Sequence, residues 1–439
     1  MGISKDELKK RAIEAIDKNR DKIIEIGDSI FAEPELGYKE FKTAEKVKKA
    51  LDEMGFKYKD GVAITGIIAD LKGKESKARI SVMGEMDAVV APEHRCANPE
   101  TGGAHSCGHN CMIAALMGVG YALSGTGIME ELDGDIVLMA VPAEEYVEIE
   151  YRNGLKNDGK ITFLGGKQEF VKLGVMDDID IMIMQHTAVI GSAGEGIVAV
   201  ADQGSNGFTG KLIRYIGKEA HAGGAPHKGI NALNAATLGL QAVAMQRETF
   251  MDKDAIRVHP IITKGGDLVN VVPADVRLET YVRGNNLEAI IDANNKVTRA
   301  FKAGGDAVGA ETIITDLPGY LPQVLDHNLM DVVFDNMKYV FGDDKAVYEV
   351  PAGSGSSDAG DISYLMPTSQ ARYLGATGVA HSKTYEIEDR DVAYLGAAKS
   401  LVCTAIDLLY NGAEKALEIK SKFKPSMTKD EYLKVWGRL

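Results

Sequence analysis

The segment SCGHN at positions 106–110 places a thiol, Cys107, two residues before an imidazole, His109. Thiolate and neutral imidazole are both good ligands for borderline divalent metals such as zinc. In extended backbone, residues i and i+2 point to the same side, so the pair could present two metal ligands together. The same residues could also form a catalytic thiol with its base, or half of a redox pair.

Three short apolar segments each lead into residue types that bind metal. ARISVMGEMD ends at Asp87, DIVLMAVPAEE ends at Glu144 and Glu145, and DIDIMIMQH ends at His186. Taken alone, each of these could be an ordinary residue at a strand end. In open α/β sheets, however, ligands bind beyond the carboxyl ends of the strands. Three such ends in one chain therefore predict a single site at one edge of a sheet.

Adjacent carboxylates suit metal-assisted hydrolysis. If the chain is extended at Glu144 and Glu145, the two side chains point apart. One can then bind metal while the other takes a proton from the attacking water. His221 and His381 also lie in loops of small residues (EAHAGGAPH and GVAHSKT), which makes them candidates for the same site, whereas His259 lies in an alternating strand and is predicted to be structural.

The elements that would position these residues alternate between strands and helices. Continuous apolar strands separated by helices predict an α/β domain with a mostly parallel sheet flanked by helices. Residues 4–55 predict two helices. Between 207 and 316 the order strand, helix, strand, strand, helix, strand is that of a ferredoxin-like α+β domain. We therefore predict a catalytic domain at 1–204 and 317–439, with a second domain inserted at 205–316.

The composition excludes some classes of partner. The chain of 439 residues carries a net charge of −14, which argues against nucleic acid and anionic membrane surfaces. Its charged start has no apolar signal segment, and we expect a cytoplasmic protein. Four unevenly spaced cysteines are too few for a disulfide framework. Cys403, in an apolar helix-like run, is expected to belong to the core.

The chain resembles the aminoacylase-like metallopeptidases and amidohydrolases. It is most similar to the branch of auxin-conjugate, N-acyl-amino-acid and aminobenzoyl-glutamate hydrolases. The resemblance runs over nearly the whole chain, in an ordered set of motifs: FAEPELGYKEFKTAE (31–45), GEMDAV (84–89), SCGHN (106–110), PAEE (142–145), QHTA (185–188), EAHAGGAPHKGINALNA (219–235), GGDLVNVVPADVRLETYVRG (265–284), GSGSSDAGDIS (353–363) and AHSKTYEI (380–387).

The resemblance implies amide hydrolysis at a centre of two divalent metal ions per subunit, zinc or manganese. Glu144 would be the general base, and Asp87 would hold or orient a ligand. The metal ligands would be Cys107, His109, Glu145, His186 and His381.

The resemblance also assigns a role to the inserted domain, which would act as a lid and form a homodimer or a tetramer. Its His221 would polarise the scissile carbonyl oxygen, often across the dimer. Asn270 and Arg283 match positions that tend to meet the substrate carboxylate.

The chain departs from the commoner family pattern at several positions. Asn110 replaces an acid, Met112 replaces a histidine, and Glu85 stands where many relatives have His or Asp. The segment 146–178 is longer than usual, and its basic and aromatic residues could form a lid. The asparagine points to the aminobenzoyl-glutamate and dipeptidase-like sub-branch.

The leading hypothesis is a metal-dependent amidohydrolase that cleaves a small N-acyl or N-aroyl amino acid or dipeptide. One alternative is a thiol hydrolase that depends on Cys107, with His109 as its base. The other is a catalytically silent binding or scaffold protein of the same fold.

Overall fold

The structure is a computed structural model, and it describes residues 2–202, 204–351, 353 and 355–436. The helices, in chain order, are α1 (Lys5–Lys18), α2 (Arg20–Ala32), α3 (Phe41–Glu53), α4 (His109–Leu123), α5 (Ile149–Asn157), α6 (Gly166–Lys172), α7 (Ala232–Met245), α8 (Leu287–Val308), α9 (His327–Phe341), α10 (Ala359–Ser363), α11 (Ala397–Lys422) and α12 (Lys429–Val435).

The strands are similarly spread along the chain. They are β1 (Tyr58–Val62), β2 (Gly66–Leu71), β3 (Arg79–Glu85), β4 (Val89–Val90), β5 (Gly103–Ala104), β6 (Asp135–Val141), β7 (Ile181–Val189), β8 (Val198–Asp202), β9 (Gly207–Ile216), β10 (Arg257–Val258), β11 (Ile261–Lys264), β12 (Asp275–Gly284), β13 (Glu311–Leu317), β14 (Ala346–Val350), β15 (Thr368–Thr377) and β16 (Glu386–Ile387).

The N-terminal region contains three helices, so the prediction of two helices over 4–55 is wrong in one respect. Asn19 separates α1 from α2. Its side-chain amide donates a hydrogen bond to the carbonyl of Ala15 at 2.9 Å. Asparagine competes in this way for backbone groups, which disfavours it inside a helix and explains the interruption.

The main sheet has the strand order β1-β2-β6-β3-β7-β15-β8-β14, with β16 paired to β15. The neighbours β6, β3, β7 and β15 pair in parallel, whereas β1, β2 and β16 pair antiparallel. All seven residues of β6 are buried, as expected for a strand covered on both faces. The predicted α/β fold with a mostly parallel sheet flanked by helices is confirmed.

A long apolar segment near the C-terminus belongs to the core of this sheet domain. Asp391–Lys422 is long and apolar enough to cross a membrane, but 89% of its most apolar window is buried inside the protein. It begins with a π-helical turn at Asp391–Gly396 and continues as α11. Cys403 lies within it and is buried, as predicted, and burial raises the pKa of its thiol to about 12.

A second sheet is formed by the later part of the chain. Its order is β10-β12-β9-β13, with β11 also paired to β12, and the pairs are antiparallel. With α7 and α8, these strands follow the predicted ferredoxin-like order, except that the second strand is divided into β10 and β11. The hydroxyl of Tyr215 in β9 donates to the carbonyl of Phe301 in α8 at 2.7 Å, which ties a helix to the sheet.

The described residues form two compact units. The first comprises the described parts of Met1–Gly204, Val324–Ala352 and Asp361–Lys429, and the second those of Ser205–Gln323, Gly353–Gly360 and Asp430–Leu439. The second unit thus extends beyond the predicted range 205–316. One reason is that Trp436 is buried in it and donates from Nε1 to the carbonyl of Gly319 at 3.0 Å.

Candidate metal centre

Four neighbouring parallel strands bring the candidate residues of the first unit to one edge of the main sheet. Asp87 follows β3, and Glu144 and Glu145 follow β6. His186 lies near the end of β7, and His381 follows β15. The carboxyl ends of parallel strands meet at one edge, so the topology alone accounts for this convergence.

Cys107 and His109 are arranged by a helix start rather than by the extended backbone that the spacing suggests. Gly108 has φ +86° and caps α4, which begins at His109. A Cβ at Gly108 would lie 2.6 Å from the hydroxyl of Tyr385 and 2.8 Å from Cβ of Thr187. Only glycine fits this left-handed and closely packed position.

Cys107, Gly108 and His109 form a tight corner, here called the Cys107 corner. Its side chains face a third ligand candidate, His186. Sγ of Cys107 lies 3.6 Å from Nε2 of His186. The rings of His109 and His186 meet edge to face, with 6.0 Å between their centroids. Nδ1 of His186 is hydrogen-bonded to the carbonyl of Thr187 at 2.9 Å, which leaves Nε2 to face the thiol.

His109 is oriented by Asp87. Its Nδ1 lies 2.8 Å from the carbonyl oxygen of Asp87 and 3.3 Å from Oδ1 of the same residue. A proton on Nδ1 leaves Nε2 as the nitrogen that can bind metal. Among the described residues, Nε2 is buried without a hydrogen bond, and it lies 3.1 Å from Oε2 of Glu85 and 3.8 Å from Oε2 of Glu144.

Glu145 and His381 form the other side of the site. The backbone N–H of Glu145 donates to Oδ2 of Asp87 at 2.9 Å, so one carboxylate fixes both Glu145 and His109. Oε1 of Glu145 lies 3.3 Å from Nε2 of His381. His381 has φ +59°, and its backbone N–H donates to the carbonyl of Ser106 at 2.8 Å, beside the Cys107 corner.

The ligand atoms fall into three overlapping sets, each with all atoms within 4.8 Å of one another. All five residues predicted as metal ligands occur in the two sets that contain Cys107. The third set adds two carboxylates, Glu85 and the predicted base Glu144, which the sequence did not predict as metal ligands. The sets are Cys107, His109 and His186; Cys107, Glu145 and His381; and Glu85, His109 and Glu144.

The side chains of the site strongly shift one another's pKa values. Burial and the charge of Glu145 raise the pKa of the Cys107 thiol, but His109 and His186 outweigh them and lower it to about 6. Burial also raises the pKa of Glu145, but His381 and His109 outweigh it and lower it to about 2. The neighbouring Cys107 and Glu145 raise the pKa of His381 to about 11. Thiolate and carboxylate thus face protons that a divalent cation would displace.

Two buried cations from the 146–178 segment lie against this site, and the sequence did not indicate them. Arg152 in α5 and Lys167 in α6 are both fully buried. Arg152 donates to the carbonyls of Ala143 (3.3 Å) and Leu164 (2.9 Å), and Lys167 is hydrogen-bonded to Glu85. Basic residues in a polar segment are usually exposed, which suggested a lid. These two instead lie in the protein interior.

Glu40 is a further buried group that the sequence did not single out, although it lies in one of the motifs shared with the family. Its Oε1 accepts the backbone N–H of Ala143 at 2.8 Å, and its Oε2 accepts the hydroxyl of Thr65 at 2.6 Å. Burial, with the nearby charge of Asp87, raises its pKa to about 7. Because Ala143 has φ +56° and precedes Glu144, Glu40 holds the turn that presents the paired carboxylates.

Asn110, where the chain leaves the commoner pattern, points away from the ligand sets. Its buried amide nitrogen donates to the carbonyl of Gly27 (3.2 Å) and to the hydroxyl of Tyr394 (3.0 Å). Met112 is also buried in the core. Neither substitution therefore changes the candidate metal ligands, whereas Glu85 does lie within one of the sets.

His221, Asn270 and Arg283 belong to the second unit and are described within it. His221 is exposed, and the backbone N–H of the next residue, Ala222, donates to the carbonyl of Asn270 at 3.0 Å. The structure thus brings His221 and Asn270 onto adjacent segments. Arg283 lies on β12, with its guanidinium 5.6 Å from the ring centroid of Phe208.

The chain is similar to known hydrolases over most of its length. It is 26% identical to mouse Xaa-Arg dipeptidase, over 97% of this chain and 94% of that protein. It is 27% identical to one of the subunits of p-aminobenzoyl-glutamate hydrolase from Escherichia coli, over 69% of this chain and 58% of that protein.

Two solved structures share the fold. An aminobenzoyl-glutamate utilization protein from Klebsiella pneumoniae superimposes with a TM-score of 0.69 at 19% identity, over 90% of this chain and 97% of that one. A Bacillus subtilis protein described as a dinuclear metal-binding peptidase of the M20 family superimposes with a TM-score of 0.65 at 18% identity, over 90% of this chain and 99% of that one.

The sequence model of peptidase family M20/M25/M40 matches residues 82–405, which include every residue of the three ligand sets. The resemblance inferred from the motifs is therefore confirmed, and the chain belongs to peptidase family M20/M25/M40.

Proposed function

We propose that this member of the family is a metal-dependent amidohydrolase, which cleaves the amide bond of a small N-acyl or N-aroyl amino acid or of a dipeptide. The observation that carries the proposal is the position of Cys107, which is shared by two ligand sets. Two divalent ions with one common ligand would need such an arrangement. The named activities of the dipeptidase and aminobenzoyl-glutamate relatives support the substrate class.

The donor atoms fit zinc or manganese. Thiolate, imidazole and carboxylate are the ligands of borderline divalent metals, with manganese favouring more carboxylate. Nε2 of His109 and Oε1 of Glu145 are buried without a hydrogen bond among the described residues, and a bound cation would satisfy both. One ion would be held by Cys107, His109 and His186, and the other by Cys107, Glu145 and His381.

Bound metal would supply Lewis acidity, which lowers the pKa of water and polarises a carbonyl oxygen. The proton of the attacking water goes to Glu144, which is nearly buried and belongs to neither set that contains Cys107. Glu144 then passes that proton to the leaving amine. Asp87 keeps His109 and the backbone of Glu145 in place throughout.

We further infer that the second unit forms the homodimer or tetramer of a cytoplasmic enzyme and carries residues that bind substrate. His221 would polarise the scissile carbonyl, and Asn270 and Arg283 would receive the substrate carboxylate. Arginine suits that last role because its guanidinium binds a carboxylate through two parallel hydrogen bonds.

The substitution Glu144→Gln tests the assignment of the base. Glutamine has nearly the same shape but cannot take the proton, so kcat should fall by about 10²- to 10⁴-fold while the metal content stays unchanged. The exposed Glu150 provides a matched control, because Glu150→Gln makes the same chemical change away from the ligand sets. Wild-type turnover in Glu144→Gln would refute the assignment.

A thiol hydrolase is a second candidate, because Cys107 lies 3.6 Å from His186 and its pKa is lowered to about 6. His186 is thus a second imidazole beside the thiol, in addition to the His109 that the sequence suggested. A thiol enzyme would keep its activity in EDTA and lose it to iodoacetamide. The metal-dependent enzyme would be silenced by EDTA and recover with added metal. A scaffold protein would bind metal and cleave no substrate.

A further inference from the structure

Lys167 and Glu85 form an ion pair in the interior beside the ligand sets. Both side chains are fully buried. Helix α6, which carries Lys167, begins in contact with the turn that follows β6. The N–H of Gly166 donates to the carbonyl of Ala143 at 3.3 Å, and a Cβ at Gly166 would clash with the carbonyl oxygen of Pro142. Lys167 is therefore held in place by the same turn that presents the paired carboxylates.

The other oxygen of Glu85 faces the candidate metal ligand His109. Oε2 lies 3.1 Å from Nε2, and neither atom makes a hydrogen bond within the described residues. Nδ1 of the same ring is bonded to Asp87, so in the neutral tautomer Nε2 carries a lone pair. Two lone-pair atoms at this distance repel each other unless a proton or a metal cation lies near both.

We propose that Lys167 is a positioning residue that sets how tightly the centre holds its metal. This inference rests on the proposed function. By binding Oε1, Lys167 leaves Glu85 a single oxygen, Oε2, to offer beside His109. Its positive charge also opposes that of the incoming ion. Charges inside a protein are screened far less than charges at its surface, so this opposition is strong.

Loss of the lysine charge should therefore tighten metal binding. Without Lys167, a buried carboxylate loses its cation, and a bound metal ion would replace that partner. A purely structural role predicts the opposite result, because a disturbed site binds metal more weakly.

The test measures the dissociation constant of Zn²⁺ by chelator competition on metal-stripped full-length protein, without substrate. Lys167→Met should bind Zn²⁺ at least about tenfold more tightly than wild type. Lys167→Arg, which keeps the charge, should remain near the wild-type value. Unchanged or weaker binding in folded Lys167→Met would overturn the proposal.

A second comparison covers the case in which Lys167→Met does not fold. Glu85→Gln alone should weaken Zn²⁺ binding, because the lysine charge is then uncompensated. Adding Lys167→Met to Glu85→Gln removes both charges and should restore binding toward wild type. A double variant that binds no better than Glu85→Gln would refute the role of Lys167. Wild-type protein that binds Zn²⁺ but hydrolyses no amide would refute the proposed function alone, since these comparisons need no catalysis.

Discussion

Replacing Asn110 with aspartate should destabilise the protein without changing its metal content. The side chain is fully buried and donates hydrogen bonds to Gly27 and Tyr394. An ionised aspartate donates none, and a protonated one can donate a single hydrogen bond. The hydroxyl of Tyr394 already donates to Asp28 at 3.0 Å, so it needs a donor at position 110.

The magnitude follows from these contacts. Each buried acceptor left without a donor costs about 1–3 kcal/mol. The acceptors here are the carbonyl of Gly27 and the hydroxyl of Tyr394, and the substitution removes the donated hydrogen bond from one or both. An unpaired carboxylate in the same place adds to the cost. With one acceptor affected at the lower bound and both at the upper, we expect Asn110→Asp to lower the free energy of unfolding by about 1–6 kcal/mol.

The assay combines urea unfolding, followed by circular dichroism, with metal analysis of the folded protein. Asn328→Asp is the matched control, since it makes the same chemical change at an exposed position in α9 and should stay within about 0.5 kcal/mol of wild type. An unchanged stability would refute the role given to the two hydrogen bonds. A loss of metal from folded Asn110→Asp would place residue 110 in the metal site and contradict the geometry.

Other predictions concern the Cys107 corner. Gly108→Ala should cost about 1–3 kcal/mol and reduce the metal content, because it forces a Cβ to 2.6 Å from the hydroxyl of Tyr385; a stable, fully loaded variant would disprove this. In metal-stripped protein at pH 7, iodoacetamide should modify Cys107 before Cys403, since their pKa values are about 6 and about 12, and the reaction at Cys107 should slow as the pH falls below about 6. Added metal should protect Cys107, and equal labelling with and without metal would count against its role as a ligand. Finally, EDTA should lower the thermal unfolding temperature, because metal binds the folded state preferentially; an unchanged temperature would mean that folding does not depend on metal.

The sequence predicted the convergence of the site because that convergence depends on topology. Apolar strands buried on both faces favour a parallel sheet, and parallel strands end at one edge. Asp87, Glu144 and His186 could be placed there from their positions after such strands. The five-ligand set as a whole came from the resemblance to the family, since spacing alone left the partners of SCGHN open.

The sequence could not predict contacts that depend on long-range packing. Lys167 and Arg152 lie in a polar segment, and only the folded chain shows that both are buried beside acidic groups. The face that Asn110 presents depends on where α2 and the Asp391–Gly396 turn pack. The lack of room for a side chain at Gly108 likewise depends on Tyr385 and Thr187, which are distant in sequence.

Metal-dependent catalysis is tested most directly by amide hydrolysis in one protein sample, stripped of metal and then reloaded with zinc or manganese. The substrates are N-acyl amino acids, aminobenzoyl-glutamate and dipeptides. We expect no cleavage by the stripped protein and restored cleavage of at least one substrate after reloading. Equal cleavage before and after reloading, or no cleavage by a fully loaded sample, would contradict the proposed function.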